Sequence, residues 1–296
     1  MVKKYLSLVK FSHTIFALPF AFIGFFMGVF FEAQQKSLPM LDVLLQKQML
    51  QLFLLVLVCM VTARSAAMAF NRYLDRHFDA KNPRTAIREI PSGVIAASSA
   101  LRFVILNAII FIAATYFINP ICFYLSPVAL FVILFYSYTK RFTPLCHMVL
   151  GLGLSLAPIG AYLAVTGSFA LLPILFSCVV ICWVSGFDII YAMQDVDFDA
   201  SQNLHSIPTY LGKVNALKLS VLLHIIAAVL VIVAGVLAGY GYFYWEGALV
   251  FIGMLYYQHS IVSPTNLTKV NIAFMTANGI ASVIFGAHVL VALFLQ

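Results

Sequence analysis

The sequence predicts an all-α polytopic membrane protein, with about nine transmembrane helices. Three observations carry that prediction. Of the 296 residues, 63% are hydrophobic and 9% are charged, whereas a soluble domain carries about a quarter charged residues. Mean hydropathy is +1.02, and apolar runs of about 20 residues, enough to cross a hydrocarbon core, recur along the chain. Lys and Arg gather in alternate connections, as the positive-inside rule requires of a multi-span protein.

Taken in order, the spans are expected at 11–31, 49–72, 93–118, 121–138, 145–166, 171–192, 214–238, 243–260 and 270–294. The first follows a basic start (Lys3, Lys4, Lys10) and lacks a small-residue cleavage site, so it reads as a span rather than a cleaved leader. Loop 32–48 holds Glu32, Lys36, Pro39 and Asp42. Asn119-Pro120 and Thr166-Gly167 make very short connections, and Gly239 to Trp245 forms an aromatic turn suited to a membrane boundary. With the N-terminus cytoplasmic, fifteen of the seventeen Lys and Arg lie at or near the cytoplasmic side, leaving only Lys36 and Lys47 opposite. The net charge of +7 belongs to these short loops and does not indicate a nucleic-acid partner. All five cysteines lie in apolar stretches and read as small buried hydrophobes.

Two polar stretches interrupt this pattern. Asp75 to Ala80 and Asp195 to Ala200 share the sequence Asp-x-x-Phe-Asp-Ala, 120 positions apart, and each is followed by an Ile-Pro pair, at Ile90-Pro91 and Ile207-Pro208. The repeat suggests one domain of two quasi-repeated halves, about 1–144 and 145–296. The alternation of spans brings both stretches to the same membrane face. Asn71, Asp75 and Asp79 are spaced i, i+4, i+8. On a helix continuing the second span they share one face, about 6 Å apart per step, with Arg64 further in. Asp188, Asp195 and Asp199 make the matching stripe at the foot of the sixth span. Converging carboxylates near a low-dielectric core need a cation, and Asp and Asn oxygens suit a hard ion such as Mg²⁺. Arg72, Arg76, Lys81, Arg84 and Arg88 interleave with the first stretch, and Lys140 and Arg141 sit on the fourth connection. Such a set suits a diphosphate.

Asn71-x-x-x-Asp75-x-x-x-Asp79 and Asp195-x-x-x-Asp199 resemble the two signature motifs of the UbiA family of intramembrane prenyltransferases. Further matches are Lys81-Asn-Pro-Arg-Thr85, Ile90-Pro-Ser-Gly93, Tyr136-Ser-Tyr-Thr-Lys-Arg141 and Asp188-Ile-Ile-Tyr-Ala-Met-Gln-Asp195. The resemblance is closest to the 4-hydroxybenzoate polyprenyltransferases and covers essentially the whole chain. It implies that the helices surround a central cavity, and it implies Mg²⁺-dependent transfer of a polyprenyl group from its diphosphate to an aromatic acceptor in respiratory quinone synthesis, at the cytoplasmic face of a bacterial inner membrane. The implied acceptor is 4-hydroxybenzoate, with a naphthoate-type menaquinone precursor as the alternative. Asn71, Asp75, Asp79, Asp195 and Asp199 would hold the metal, two ions in all, and Arg72, Lys81, Arg84 and Lys140 would help hold the diphosphate. Asp75, Asp195 and Asp188 would carry the catalytic roles, and Arg141, Asp188 and Arg64 would meet the acceptor. No obligate protein partner is implied.

Asp188 lies two turns, about 10 Å, deeper than Asp195, which fits a group meeting the acceptor. A buried carboxylate paired with Arg64 or Arg141 fits the same residues. His13 reads as a hydrogen-bonded helix residue, while His224 and His288 show no evident partner in the sequence. Asn278 beside Gly279 suits helix packing. A transporter is the rival class, but a carrier would set its charges near mid-bilayer, and here the carboxylates gather at one face.

Overall fold

The structure is a computed structural model that describes residues 2–9 and 15–296, with the side chains of Val2 and Lys3 excepted. His13 and Lys10, read above as a helix residue and part of a basic start, lie outside the described residues. The helices are α1 (Val2–Leu8), α2 (Leu18–Lys36), α3 (Met40–Leu44), α4 (Lys47–Leu74), α5 (Arg76–Lys81), α6 (Ala97–Tyr116) and α7 (Pro120–Thr139). They continue with α8 (Cys146–Thr166), α9 (Leu171–Ala192), α10 (Val196–Ser201), α11 (Ile207–Ala238), α12 (Tyr242–Ile261) and α13 (Asn278–Phe294). Nine of them match the nine expected spans. Eight are both long and apolar enough to cross a membrane, α13 counting with the π-helical turn Ile272–Ala277 before it. The ninth, α12, has the length but carries Glu246, Gln258 and His259.

The boundaries differ where local chemistry overrides hydropathy. α2 starts at Leu18 with Pro19 in its first turn, a position where the missing N–H costs nothing. α11 opens with a short helical segment at Ile207, where Ser206 and Thr209 form a capping box and Pro208 occupies the first turn; a non-helical Gly212 (φ 75°, ψ 159°) separates it from the long part of the helix, which begins close to the expected 214. The Ile207-Pro208 pair is thus a helix start rather than loop.

Small residues set the closest helix crossings. A Cβ on Gly24 of α2 would collide with the Pro158 carbonyl of α8, and one on Gly151 of α8 would meet Ser185 Oγ of α9 at 2.5 Å. α2, α9, α11, α12 and α13 share one aromatic core around Phe20, Trp183, Phe251 and Phe285. Asn278 is fully buried in it. It accepts from Trp183 Nε1 (2.7 Å) and Gln258 Nε2 (3.0 Å), and donates to the Ala273 and Phe274 carbonyls that the π turn leaves available. That knot ties α9, α12 and α13 together, as its helix-packing reading implied. His224 and His288 do have partners, contrary to the sequence reading. His224 Nδ1 meets His259 Nε2 at 2.9 Å, and His288 lies 4.0 Å from Glu246. Both contacts join residues far apart in sequence. α4, α6, α7, α8 and α9 enclose a separate space, which holds the polar stretches at one end.

Candidate active site

Asp75 ends α4 and precedes α5, while Asp195 closes the 3₁₀ turn Met193–Asp195 and precedes α10. Their backbones are nearly the same, at φ −87°, ψ 4° and φ −104°, ψ 4°. A continuous helix through Asn71, Asp75 and Asp79 is therefore corrected to two helices with a bend at the middle aspartate. Helical bonding survives the bend through Asp75 N to Asn71 O (2.9 Å) and Asp79 N to Asp75 O (2.8 Å). The second motif bends at the same place, so Asp79 and Asp199 both turn inward and are 6% and 1% exposed.

The two motifs meet. Arg84, on the loop after α5, grips Asp195 with Nε on Oδ1 (3.0 Å) and Nη2 on Oδ2 (2.5 Å), and donates to Tyr191 Oη (3.0 Å). Asn82 adds a 3.3 Å bond to the same carboxylate. Lys140 Nζ pairs with Asp199 at 2.7 Å, Arg88 with Asp79 at 2.7 Å and Arg141 with Asp75 at 2.9 Å. Asn71 Nδ2 donates to Asp75 Oδ2 at 3.0 Å. Burial pushes the Asp75 carboxyl above the usual carboxylate range, against the pull of Arg141. Burial also works against the Lys140 cation, but Asp199 more than offsets it and holds Lys140 above its ordinary value.

All four motif aspartates line one cavity of about 1060 Å³, together with Asn71, Arg72, Arg84, Arg88, Lys140 and Arg141. Its far reaches, past Val56, Met60, Ile118 and Leu163, are apolar. Arg64, Tyr136 and Asp188 line it between the two zones.

The contacts of the remaining expected site residues differ from those the spacing suggested. Lys81 is exposed, bonded to Gln202 at 3.2 Å, and does not line the cavity. It sits on the outer side of α5, and nearness in sequence to Asp79 says nothing of helix face. Asp188 pairs with neither Arg64 nor Arg141. Its partner is His147 at 2.7 Å, a residue the sequence reading passed over, because 41 positions separate the two. Arg141 is committed to Asp75, with further bonds to the Leu74 and Ser137 carbonyls and its guanidinium over Phe78 and Tyr138. Asp197, on α10, is exposed.

Among the described residues, no three His, Cys, Asp or Glu side chains lie close enough together to form a ready metal cluster. Each aspartate is instead held by its own cation. Two facts nevertheless fit a hard divalent ion. The donors are carboxylate and amide oxygens, and Asp79 Oδ2 and Asp199 Oδ2, one from each motif, are buried without a hydrogen-bond partner. A buried carboxylate oxygen left unpaired is costly, and a cation shared between the motifs would satisfy both.

Residues 17–280 match the model of the UbiA prenyltransferase family. The chain belongs to that family. As a UbiA prenyltransferase it is an integral membrane enzyme that transfers prenyl groups. Among its relatives, the 4-hydroxybenzoate octaprenyltransferase of Shewanella pealeana is 28% identical over 241 residues, covering 81% of this chain and 83% of the relative. That of Edwardsiella ictaluri is 30% identical over 233 residues, covering 78% and 81%. The apo structure of a UbiA homolog from Aeropyrum pernix superposes with a TM-score of 0.81 at 29% identity, covering 94% of this chain and 97% of the other. A homolog from Archaeoglobus fulgidus, bound to GPP and Mg²⁺, shares the fold at a TM-score of 0.74 and 20% identity, over 98% and 99% of the two chains.

Proposed function

We propose that this UbiA prenyltransferase moves a polyprenyl group from its diphosphate to 4-hydroxybenzoate, with two Mg²⁺ ions, in respiratory quinone synthesis. The acceptor follows the names of the bacterial relatives. The metal follows the buried oxygen donors and the GPP- and Mg²⁺-bound neighbour of the same fold. One observation carries the reading. Arg84 from the first motif's loop grips Asp195 of the second, so both carboxylate sets open into a single cavity that is charged at one end and apolar beyond. We read the two halves, about 1–144 and 145–296, as contributing one motif each, and the face that carries them as cytoplasmic.

Asn71, Asp75, Asp79, Asp195 and Asp199 would hold the metal, whose charge, when bound, offsets that of the departing diphosphate. Arg72, Arg84, Arg88 and Lys140 bind diphosphate oxygens, the guanidinium groups in the bidentate manner their fork permits. Arg72 is suited to this, being buried with Nε and Nη1 unpartnered. Arg84, Arg88, Lys140 and Arg141 each neutralise an aspartate in the protein alone, and Arg84, Arg88 and Lys140 would be free to bind the diphosphate if a metal took over those carboxylates. The apolar walls keep water from the prenyl carbon while its bond to oxygen breaks. Asp188 accepts a hydrogen bond from the acceptor's hydroxyl. Arg64, whose Nε is buried without a partner, meets the acceptor's carboxylate, with Arg141 beside it. Purified enzyme supplied with Mg²⁺, a labelled polyprenyl diphosphate and either acceptor tests this reading. Prenylated 4-hydroxybenzoate supports it, product from the naphthoate alone reassigns the acceptor, and no product from either overturns it.

A further inference from the structure

His147 and Asp188 make a contact that no motif announces. His147 lies in the first turn of α8, and Asp188 lies one turn before the end of α9. The imidazole is 4% exposed, while the Asp188 side chain is 23% exposed and lines the cavity. Nδ1 and Oδ2 are 2.7 Å apart. A carboxylate offers only acceptors, so Nδ1 carries the proton and donates. The surrounding backbone holds the contact in place. Ser185 Oγ donates to the His147 carbonyl at 3.2 Å, and Gly151, one turn further along α8, lets α8 and α9 approach closely.

We propose that His147 is a positioning residue for prenyl transfer, fixing Asp188 so that its other oxygen meets the aromatic acceptor's hydroxyl. This inference rests on the acceptor role given to Asp188 above. The chemistry needs such a group. The ring carbon beside the hydroxyl forms a bond to the prenyl carbon as the prenyl C–O bond breaks, and the diphosphate leaves with that electron pair. The ring thereby gains positive charge, which the hydroxyl oxygen relieves as its proton moves to Asp188 Oδ1. The ring then sheds its own proton to solvent and regains aromaticity, with the proton on Asp188 returning to the oxygen. One proton is released per prenyl group joined. An aspartate free to rotate in a cavity this size would present its oxygen to the hydroxyl only part of the time. The imidazole removes that freedom by occupying Oδ2.

The test uses the full-length enzyme in detergent or membranes, with geranyl diphosphate, Mg²⁺ and two acceptors. These are 4-hydroxybenzoate and a ring-fluorinated analogue whose hydroxyl ionises more readily. His147→Leu is expected to lower kcat on the order of 10–100-fold, the scale seen when an orienting partner is removed, with unchanged Mg²⁺-dependent donor binding. His147→Asn, whose side-chain amide can donate from near the Nδ1 position, should recover much of the loss. Relative to wild type, the Leu variant should lose less with the fluorinated acceptor, since an ionised hydroxyl needs no base. In an Asp188→Asn background, His147→Leu should add little. A merely structural role predicts equal losses with both acceptors and no rescue by Asn, and that result overturns the inference. So does a Leu variant as fast as wild type. Wild-type enzyme that binds the donor with Mg²⁺ but prenylates neither acceptor fails differently, sinking the 4-hydroxybenzoate reading first and this inference with it.

Discussion

Four aspartates, each in the grip of a different basic side chain, set the chemistry at the scale of single residues. A charge-assisted hydrogen bond is worth about 1.5–3 kcal/mol, and the Arg84–Asp195 pair, with Arg84 about a third exposed, sits at the low end of that range. On the proposed reading, in which Arg84 both holds Asp195 and binds the diphosphate, Arg84→Ala should weaken donor affinity on the order of tenfold in an equilibrium binding measurement. Asp197→Ala, two residues beyond Asp195 but exposed, should leave the same affinity within about twofold. The aspartates themselves were legible in the sequence, since solvated loop acids have no reason to repeat one helical spacing in two loops of an apolar chain. Their partners were not. Arg84 with Asp195, and His147 with Asp188, are joined by helix packing and not by any local period.

Between helices, the fold depends on contacts that small and polar residues alone permit. Asn278 collects Trp183, Gln258 and two carbonyls of the π turn. Asn278→Ala would leave several buried donors and acceptors unpaired, each costing about 1–3 kcal/mol. The variant should unfold at a clearly lower temperature in detergent, while the enzyme that remains folded keeps its donor affinity, because Asn278 itself does not line the cavity. Gly24→Ala tests the α2–α8 crossing in the same assay. Its Cβ meets the Pro158 carbonyl rather than a yielding side chain, so a loss of about 1–3 kcal/mol is expected. Spans were readable from hydropathy at this scale, but their ends were not. The Ser206–Thr209 capping box and the bends at Asp75 and Asp195 are local hydrogen-bonding choices that a hydrophobic run does not encode.

For the whole molecule, the two polar stretches lie at one end of the bundle and the last residue at the other. Gln296 Nε2 donates to the Ala238 carbonyl at 2.9 Å, at the end of α11 remote from its start beside Asp199. A reporter at the C-terminus should therefore lie across the membrane from a label in loop 82–92, and the same side for both would mean that α12 does not cross. Chelation should abolish transfer and added Mg²⁺ restore it. The central claim is that Asp75 and Asp195 serve one metal–diphosphate site. It is tested most directly by calorimetric titration of the purified enzyme with a non-hydrolysable prenyl diphosphate analogue, with and without Mg²⁺, in wild type, Asp75→Ala and Asp195→Ala. Tight binding that requires Mg²⁺ and disappears with either substitution alone is the predicted result. Retention of wild-type affinity and Mg²⁺ dependence in either variant would contradict it.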